Sequence, residues 1–300
     1  MKFICFGEIL FDIFKDSARI GGAPLNVAAH FQKLGATGTI VSAVGDDELG
    51  RSALNTVKKF GIGSEHIHIS EFPTGKAEVF LVDGIADYAF NEPCAWDDIK
   101  ISDALKGPFD VLCYGTLAQR SEQNRKALRR IWDSLDVPVR FFDVNIRKNF
   151  YSKEIIEQSL LHATVLKMND DEIPVIANAA DIGKKNFDET IAELFCRYPL
   201  DIILVTLGKK GSVCCTNDGK IFWQACKDIT VVDTVGAGDS LSAGFLYMML
   251  KGAPLQQALA FGSTLADYVC AHQGAIPEYD KELLNKFKEY RNDDTGSKTQ

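Results

Sequence analysis

Asp233-Thr234-Val235-Gly236-Ala237-Gly238-Asp239-Ser240 leads directly into an apolar stretch with helical periodicity that Gly252 ends. Two glycines and an alanine stand where the helix begins, and residues this small let a backbone approach a ligand closely. The first N–H groups of a helix have no partner within it and point outward at the positive end of its dipole. Ala237, Gly238 and Asp239 therefore offer an anion site. A carboxylate in that place would repel an anion that is merely bound. It makes sense where it takes a proton from an attacking hydroxyl while the amides stabilise charge on a transferring phosphoryl group. Taken alone, the same octet also reads as a tight turn with an aspartate favouring a helix start.

Outward from this octet the chain alternates short apolar runs with helical patterns. Strands are expected at 2–6, 39–43, 111–114, 139–142, 165–167 and 202–206, and helices at 24–34, 47–60, 121–135, 153–162, 237–250 and 254–268. A hairpin begins at 213–216 and closes on Asn217-Asp218-Gly219. This βαβα order predicts an α/β fold, a mostly parallel sheet with helices on both faces, whose ligands bind at the carboxyl ends of the strands. Thr74–Phe90 breaks the pattern, with loose period-two character and a glycine between two apolar stretches. It is expected as a β-flap outside the main sheet, joined by Ile13–Ile20, or else as an extra edge of that sheet. Residues 291–300 lack apolar anchors and are expected to be a disordered tail.

The 300 residues are 46% hydrophobic and 25% charged, ordinary for a globular chain with a sizeable core. A net charge of −8 gives no bulk reason to bind nucleic acid or an anionic membrane. No stretch approaches the roughly 18 apolar residues of a membrane helix. No signal segment is visible at Met1-Lys2-Phe3, so a reducing cytoplasm is the expected compartment. The eight cysteines form no C-x-x-C pair and read as free thiols; the five histidines are scattered, without metal-ligand spacing. Trp96, Trp132 and Trp223 read as packing residues. G-x-x-x-x-G-K-[ST] is missing, and no G-x-G-x-x-G follows a strand, which argues against a P-loop and against a hydride-transferring dinucleotide fold.

A second glycine cluster, Gly21-Gly22-Ala23-Pro24-Leu25-Asn26, opens the first helix. The glycines allow close approach, Pro24 starts the helix, and Asn26 offers a two-sided amide for hydroxyls. A plain helix cap explains the same residues. Together, G-G-A-x-x-N near one end and D-T-x-G-A-G-D near the other resemble the paired signatures of the ribokinase-like (PfkB-type) carbohydrate kinases. The resemblance covers about residues 2–285. It implies a three-layer α/β/α sandwich with a mostly parallel central sheet, one kinase domain over 1–290, and a small β-sheet lid from about 12–20 and 74–91.

The resemblance also implies roles. Asp239 falls on the catalytic base, and Gly236, Ala237 and Gly238 on the anion hole. Gly22, Asn26 and Asp12 (in Gly7-Glu8-Ile9-Leu10-Phe11-Asp12) fall on sugar-contacting positions, although Asp12 also reads as a solvated turn residue. Asn169 and Glu172 match an N-x-x-E motif that organises Mg²⁺ and phosphate, Glu172 acting through water. Thr206, Gly208 and Gly211 lie in the loop along the nucleotide, ATP; Val231, Gly262 and Ala266 would line the adenine slot. Some members bind a monovalent cation beside the anion hole; Asp233 and the Val235 carbonyl would be the ligands for K⁺ here. The lid can also pair between subunits, leaving a homodimer open.

Two segments lean toward a ketohexose. Gly7-Glu8-Ile9-Leu10-Phe11-Asp12 resembles the opening of fructokinases, and Asp143-Val144-Asn145-Ile146-Arg147 resembles their D-x-N-x-R segment, placing Asn145 and Arg147 at the substrate. The latter also resembles 2-keto-3-deoxygluconate kinases, where an arginine meets a carboxylate. The lid segment Asp87–Glu92 lacks the arginine often found near Phe90 in fructokinases; Phe90 either covers the sugar or fills the lid core. The expected activity is ATP-dependent phosphorylation of a primary hydroxyl of a small sugar, fructose first. The alternatives are 2-keto-3-deoxygluconate, ribose or a nucleoside as acceptor, or a non-catalytic sugar- or nucleotide-binding protein on the same fold.

Overall fold

A strand buried on both faces reads as a continuous apolar run, and Phe3-Ile4-Cys5-Phe6 is one: all four residues are at most 1% exposed. In the computed structural model, which describes residues 1–14, 17–82 and 85–292, this strand is β1 (Lys2–Phe6). The others are β2 (Leu10–Phe14), β3 (Ser17–Gly21), β4 (Thr37–Gly45), β5 (Ile67–Ser70), β6 (Gly75–Val82), β7 (Ile85–Phe90), β8 (Val111–Gly115), β9 (Val139–Asp143), β10 (Val165–Asn169), β11 (Ile202–Thr206), β12 (Ser212–Thr216) and β13 (Ile221–Gln224). The helices are α1 (Ala23–Lys33), α2 (Glu48–Lys59), α3 (Glu122–Ser134), α4 (Lys153–His162), α5 (Ile173–Ala179), α6 (Phe187–Arg197), α7 (Ala237–Leu250), α8 (Leu255–Cys270) and α9 (Lys281–Asn292).

Among the described residues the main sheet has nine strands in the order β13-β12-β11-β10-β9-β8-β1-β4-β5. All neighbours are parallel except the β11-β12-β13 hairpin edge. Alternate side chains of a strand point to opposite faces, and the core divides accordingly. Phe3, Cys5, Val111 and Cys113 pack with α1, α2, α7, α8 and α9. Ile4, Phe6, Leu112 and Tyr114 pack with α3, α4, α5 and α6. The α/β/α sandwich expected from the sequence is therefore present. From β1 the chain proceeds to β4 on one side, and the later strands extend from β8 on the other. That reversal makes a crevice at the carboxyl ends of β1 and β8, where ligands bind in open α/β sheets.

The flap forms a separate sheet, β3-β2-β6-β7, and of the expected Ile13–Ile20 stretch the described residues, 13–14 and 17–20, belong to it. Leu10, Ala77, Cys94, Trp96 and Leu117 join it to the main body, with Phe90 and Phe150 against them. Phe90 thus serves the lid core. Arg120 locks this joint. Its guanidinium lies between the rings of Trp96 and Phe150, 3.8 and 4.8 Å from their centroids, and donates twice to Asp97 at 2.7 Å. Trp132 is buried as expected, but Trp223 is 51% exposed on β13, the edge strand of the main sheet. Arg291 and Asn292 extend α9, whereas the rest of the expected tail, 293–300, lies outside the described residues. No helix among the described residues is long and apolar enough to cross a membrane.

His30 ties α1 to the segment after α8. Its Nε2 donates to the Ala275 carbonyl at 2.9 Å and its Nδ1 lies 2.6 Å from the Tyr279 hydroxyl, a neutral arrangement in a fully buried site. Burial lowers its pKa from 6.5 to about 4. The native state therefore binds fewer protons than the unfolded chain between these values. The contribution is complete above pH 6.5 and lost as pH falls toward 4, about 3 kcal/mol by linkage. Denaturant titrations of the wild type and a His30→Gln variant should show this as a difference that shrinks from pH 7 to pH 4. A difference independent of pH would show that His30 is not held neutral.

Candidate active site

At the start of α7, Gly236 is left-handed, with φ 78°. A Cβ there would stand 2.5 Å from Ala275 Cβ and 2.7 Å from Ala275 Cα, so only glycine fits against this segment. The first turn that follows presents its amides at the positive end of the helix. Of the three expected donors, Ala237 N–H already leans on the Thr234 carbonyl at 3.3 Å. Asp239, third in the helix, accepts a hydrogen bond of 2.7 Å from Asn26 Nδ2 on α1. The glycine clusters, 213 positions apart by this bond, thus meet at one point. Asn26 is buried, and its Oδ1 has no partner among the described residues; a hydroxyl bound beside Asp239 could supply one.

Carboxylates crowd this crevice. Burial, and secondarily the charge of Asp143, raise Asp239 from 3.8 to about 6. Glu8, 4% exposed in the turn after β1, is raised from 4.5 to about 7 by burial, with Asp239 adding to the effect. Asp12, on β2, is raised to about 6, mainly by burial and countered by Arg147. Arg147 is exposed, lowers all three carboxyls, and has no ion pair of its own among the described residues. Asn145 holds a left-handed backbone, φ 39°, a conformation asparagine tolerates better than most residues. It lines a cavity of about 20 Å³ with Glu8, Thr116 and Asp143. Gly22 is required by close approach, since a Cβ would stand 2.3 Å from the Glu8 carbonyl oxygen.

Asn169 and Glu172 form a reciprocal pair at the end of β10. Glu172 accepts from Asn169 N–H and Ile146 N–H, both at 2.8 Å, and Asn169 Oδ1 accepts from Glu172 N–H at 2.9 Å. Glu172 therefore braces the β9 and β10 loops, and direct metal ligation would compete with these bonds. Among the described residues, no three His, Cys, Asp or Glu side chains converge to hold a metal. Asp233 accepts from Val235 N–H at 3.0 Å and Gly274 N–H at 3.1 Å, with Arg19 of β3 3.8 Å away. Arg19 brings a positive charge to the place expected for K⁺.

Thr206 ends β11, and Gly208 and Gly211 turn the following loop with φ 55° and 114°. Val231 is 53% exposed, as an open apolar wall would be. Gly262, expected in the adenine slot, is also packed closely on α7. A Cβ on it would stand 2.7 Å from the Leu241 carbonyl oxygen and 3.1 Å from Phe245 N, so its bare Cα serves the α7–α8 crossing. Ala266, one turn on, is half-buried.

Three participants were given no role from sequence: Glu8, Asp143 and Lys167. Lys167 is buried on β10 and donates to both Asp143 oxygens, at 2.8 and 2.9 Å. The signal for it was a lysine inside the apolar strand Val165-Leu166-Lys167-Met168.

The chain resembles known proteins over most of its length. Over 95% of its length the chain is 29% identical to a probable fructokinase-5 of Arabidopsis thaliana, covering 97% of that protein. Over 90% of its length it is 27% identical to a 5-dehydro-2-deoxygluconokinase of Clostridium perfringens, covering 85% of it. Its fold matches a Vibrio cholerae fructokinase, solved with fructose, ADP and a calcium ion, with a TM-score of 0.81 and 20% identity, covering 95% of this chain and 98% of that one. The family model described as pfkB family carbohydrate kinase matches residues 4–282, and the chain belongs to that family.

Proposed function

We propose that this kinase transfers the γ-phosphoryl group of ATP to a primary hydroxyl of a small sugar, most favourably fructose. The observation that carries it is the Asp239–Asn26 bond at the first turn of α7: a carboxylate oriented by a side-chain donor, beside the first-turn amides of a helix, which would face an anion. Asp12 and Asn26 would grip the sugar hydroxyls, and Asp239 would take the proton of the attacking one. The second sheet would act as a lid that excludes water, a competing acceptor. Thr206, Gly208, Gly211, Val231 and Ala266 would lie along the nucleotide. Magnesium on the nucleotide phosphates would offset their charge; Glu172 would reach it only through water, because both its oxygens are engaged by backbone.

Glu8, Asp12 and Asp239 outnumber Arg147, which favours a neutral sugar. A second reading, a keto sugar acid, rests on the exposed guanidinium of Arg147, which has no ion pair among the described residues and whose planar fork suits a carboxylate. ADP release from Mg-ATP, measured with fructose, 2-keto-3-deoxygluconate, 5-dehydro-2-deoxygluconate, ribose and adenosine, separates the two. Fructose should give the highest kcat/KM. Preference for a sugar acid, lost in Arg147→Met, would establish the second reading.

Turnover should also fall in acid. Asp239 works as a base only when ionised, and its pKa is raised to about 6. Activity is therefore full well above pH 6 and lost as pH falls through it. Glu8, near 7, broadens the limb, since neighbouring carboxyls titrate as a pair. A kcat/KM profile flat down to pH 4.5 would remove Asp239 from the proton transfer.

A further inference from the structure

Lys167 is an expensive residue for β10. Taking an ammonium and its carboxylate partner out of water costs several kcal/mol per ion, and an apolar pair of similar volume often serves stability as well or better. Lys167 and Asp143 are direct partners in the parallel β9–β10 register, Asp143 at the carboxyl end of β9 and Lys167 in the middle of β10. Beyond Asp143, the ammonium meets the start of α7: a Cβ on Gly238 would stand 3.1 Å from Lys167 Nζ. A cation at the positive end of a helix dipole has the wrong sign for helix stability. The placement makes sense if the ammonium serves an anion at that end.

We propose that Lys167, clamped by Asp143, is a positioning residue for phosphoryl transfer: it props the first turn of α7 at Gly238 and balances the charge of Asp239. This rests on Asp239 being the base. The groups facing Asp239 are Glu8 from the turn after β1, Asn26 from α1, Asp143 at the end of β9, Arg147 from the loop beyond it, and Lys167 from β10. Within this set Asp143 favours the protonated carboxyl and Lys167 the ionised one. The pair therefore sets the balance from the buried side, while Arg147 acts from the open side.

The test is a carboxyl ¹³C NMR titration of Asp239, which needs no turnover, alongside pH-dependent kinetics. In Asp143→Asn, Lys167 faces Asp239 alone, and the midpoint should fall by about one pH unit. In Lys167→Met it should rise by a similar amount, with Asp143 titrating beside it. The acid limb of kcat/KM should follow in both. Folded variants with shifts under about 0.3 unit, or shifts of the same sign, would overturn the proposal. If a single variant does not fold, Lys167→Met/Asp143→Leu leaves neither charge buried alone. It should lower kcat about tenfold or more with KM for the sugar little changed, through loss of the prop alone; unchanged kcat would overturn the proposal. Opposite NMR shifts without turnover in the wild type would sink the kinase reading and leave the pairing intact. Turnover without shifts would do the reverse.

Discussion

Replacing Asp239 by Asn lowers turnover by ~10²–10⁴, the usual worth of a general base, while ATP and sugar still bind. The substitution keeps the volume and the hydrogen-bonding edge of the side chain but removes its capacity to take a proton. It also removes a carboxylate that is costly in its place, since burial and Asp143 both disfavour its charge. The variant should therefore be at least as stable as the wild type, so lost turnover cannot be ascribed to unfolding. Calorimetric titration with the sugar should give an affinity within a few-fold of the wild type, because Asp12 and Asn26 remain. Turnover close to the wild-type rate would mean that the hydroxyl loses its proton elsewhere.

Gly236→Ala should cost ~10²–10³ in kcat, what the loss of one oxyanion donor typically costs. Two effects coincide. A left-handed backbone costs a non-glycine residue roughly 1–2 kcal/mol, and the new Cβ would meet Ala275 at 2.5 Å. Ala275 cannot easily retreat, because His30 holds its carbonyl at 2.9 Å and Lys33 holds the Pro277 carbonyl at 2.9 Å. The helix start must move instead, taking the first-turn amides with it. Gly252→Ala is the control: its φ is 89°, but a Cβ would meet nothing within 4 Å. Both variants should lose some Tm, and only Gly236→Ala should lose kcat. Equal kcat in the two would show that this turn does not hold the transferring group.

Much of this was legible in the sequence because glycine has a physical signature. Gly252 follows α7 with φ 89°, as its position after an apolar periodic run suggests, and Gly35 and Gly61 stand in the same left-handed way after α1 and α2, with φ of 89° and 76°. The continuous apolar strands gave the parallel sheet for the same kind of reason. α6 escaped although Asn186 and Glu189 form a capping box at its start, a signal visible in the sequence. α5 is only seven residues long, too short for a clear periodicity. Tertiary convergence was the harder part. Nothing local in Val165-Leu166-Lys167-Met168 says that its lysine meets Asp143 beneath Gly238, and nothing around Gly262 distinguishes a helix crossing from a slot wall. The polar residues inside apolar strands, Lys167 and Asp143, carry the sequence signal of this convergence.

The most direct test follows the phosphorus. Wild-type protein is incubated with ATP labelled at the γ-phosphate, Mg²⁺ and fructose, and the label is traced by chromatography and ³¹P NMR, with Asp239→Asn in parallel. The expected result is label in a phosphate monoester at a primary hydroxyl of the sugar, formed by the wild type and nearly absent with the variant. Label released only as inorganic phosphate, at a rate indifferent to every sugar offered and to Asp239, would contradict the assignment of this site to sugar phosphorylation.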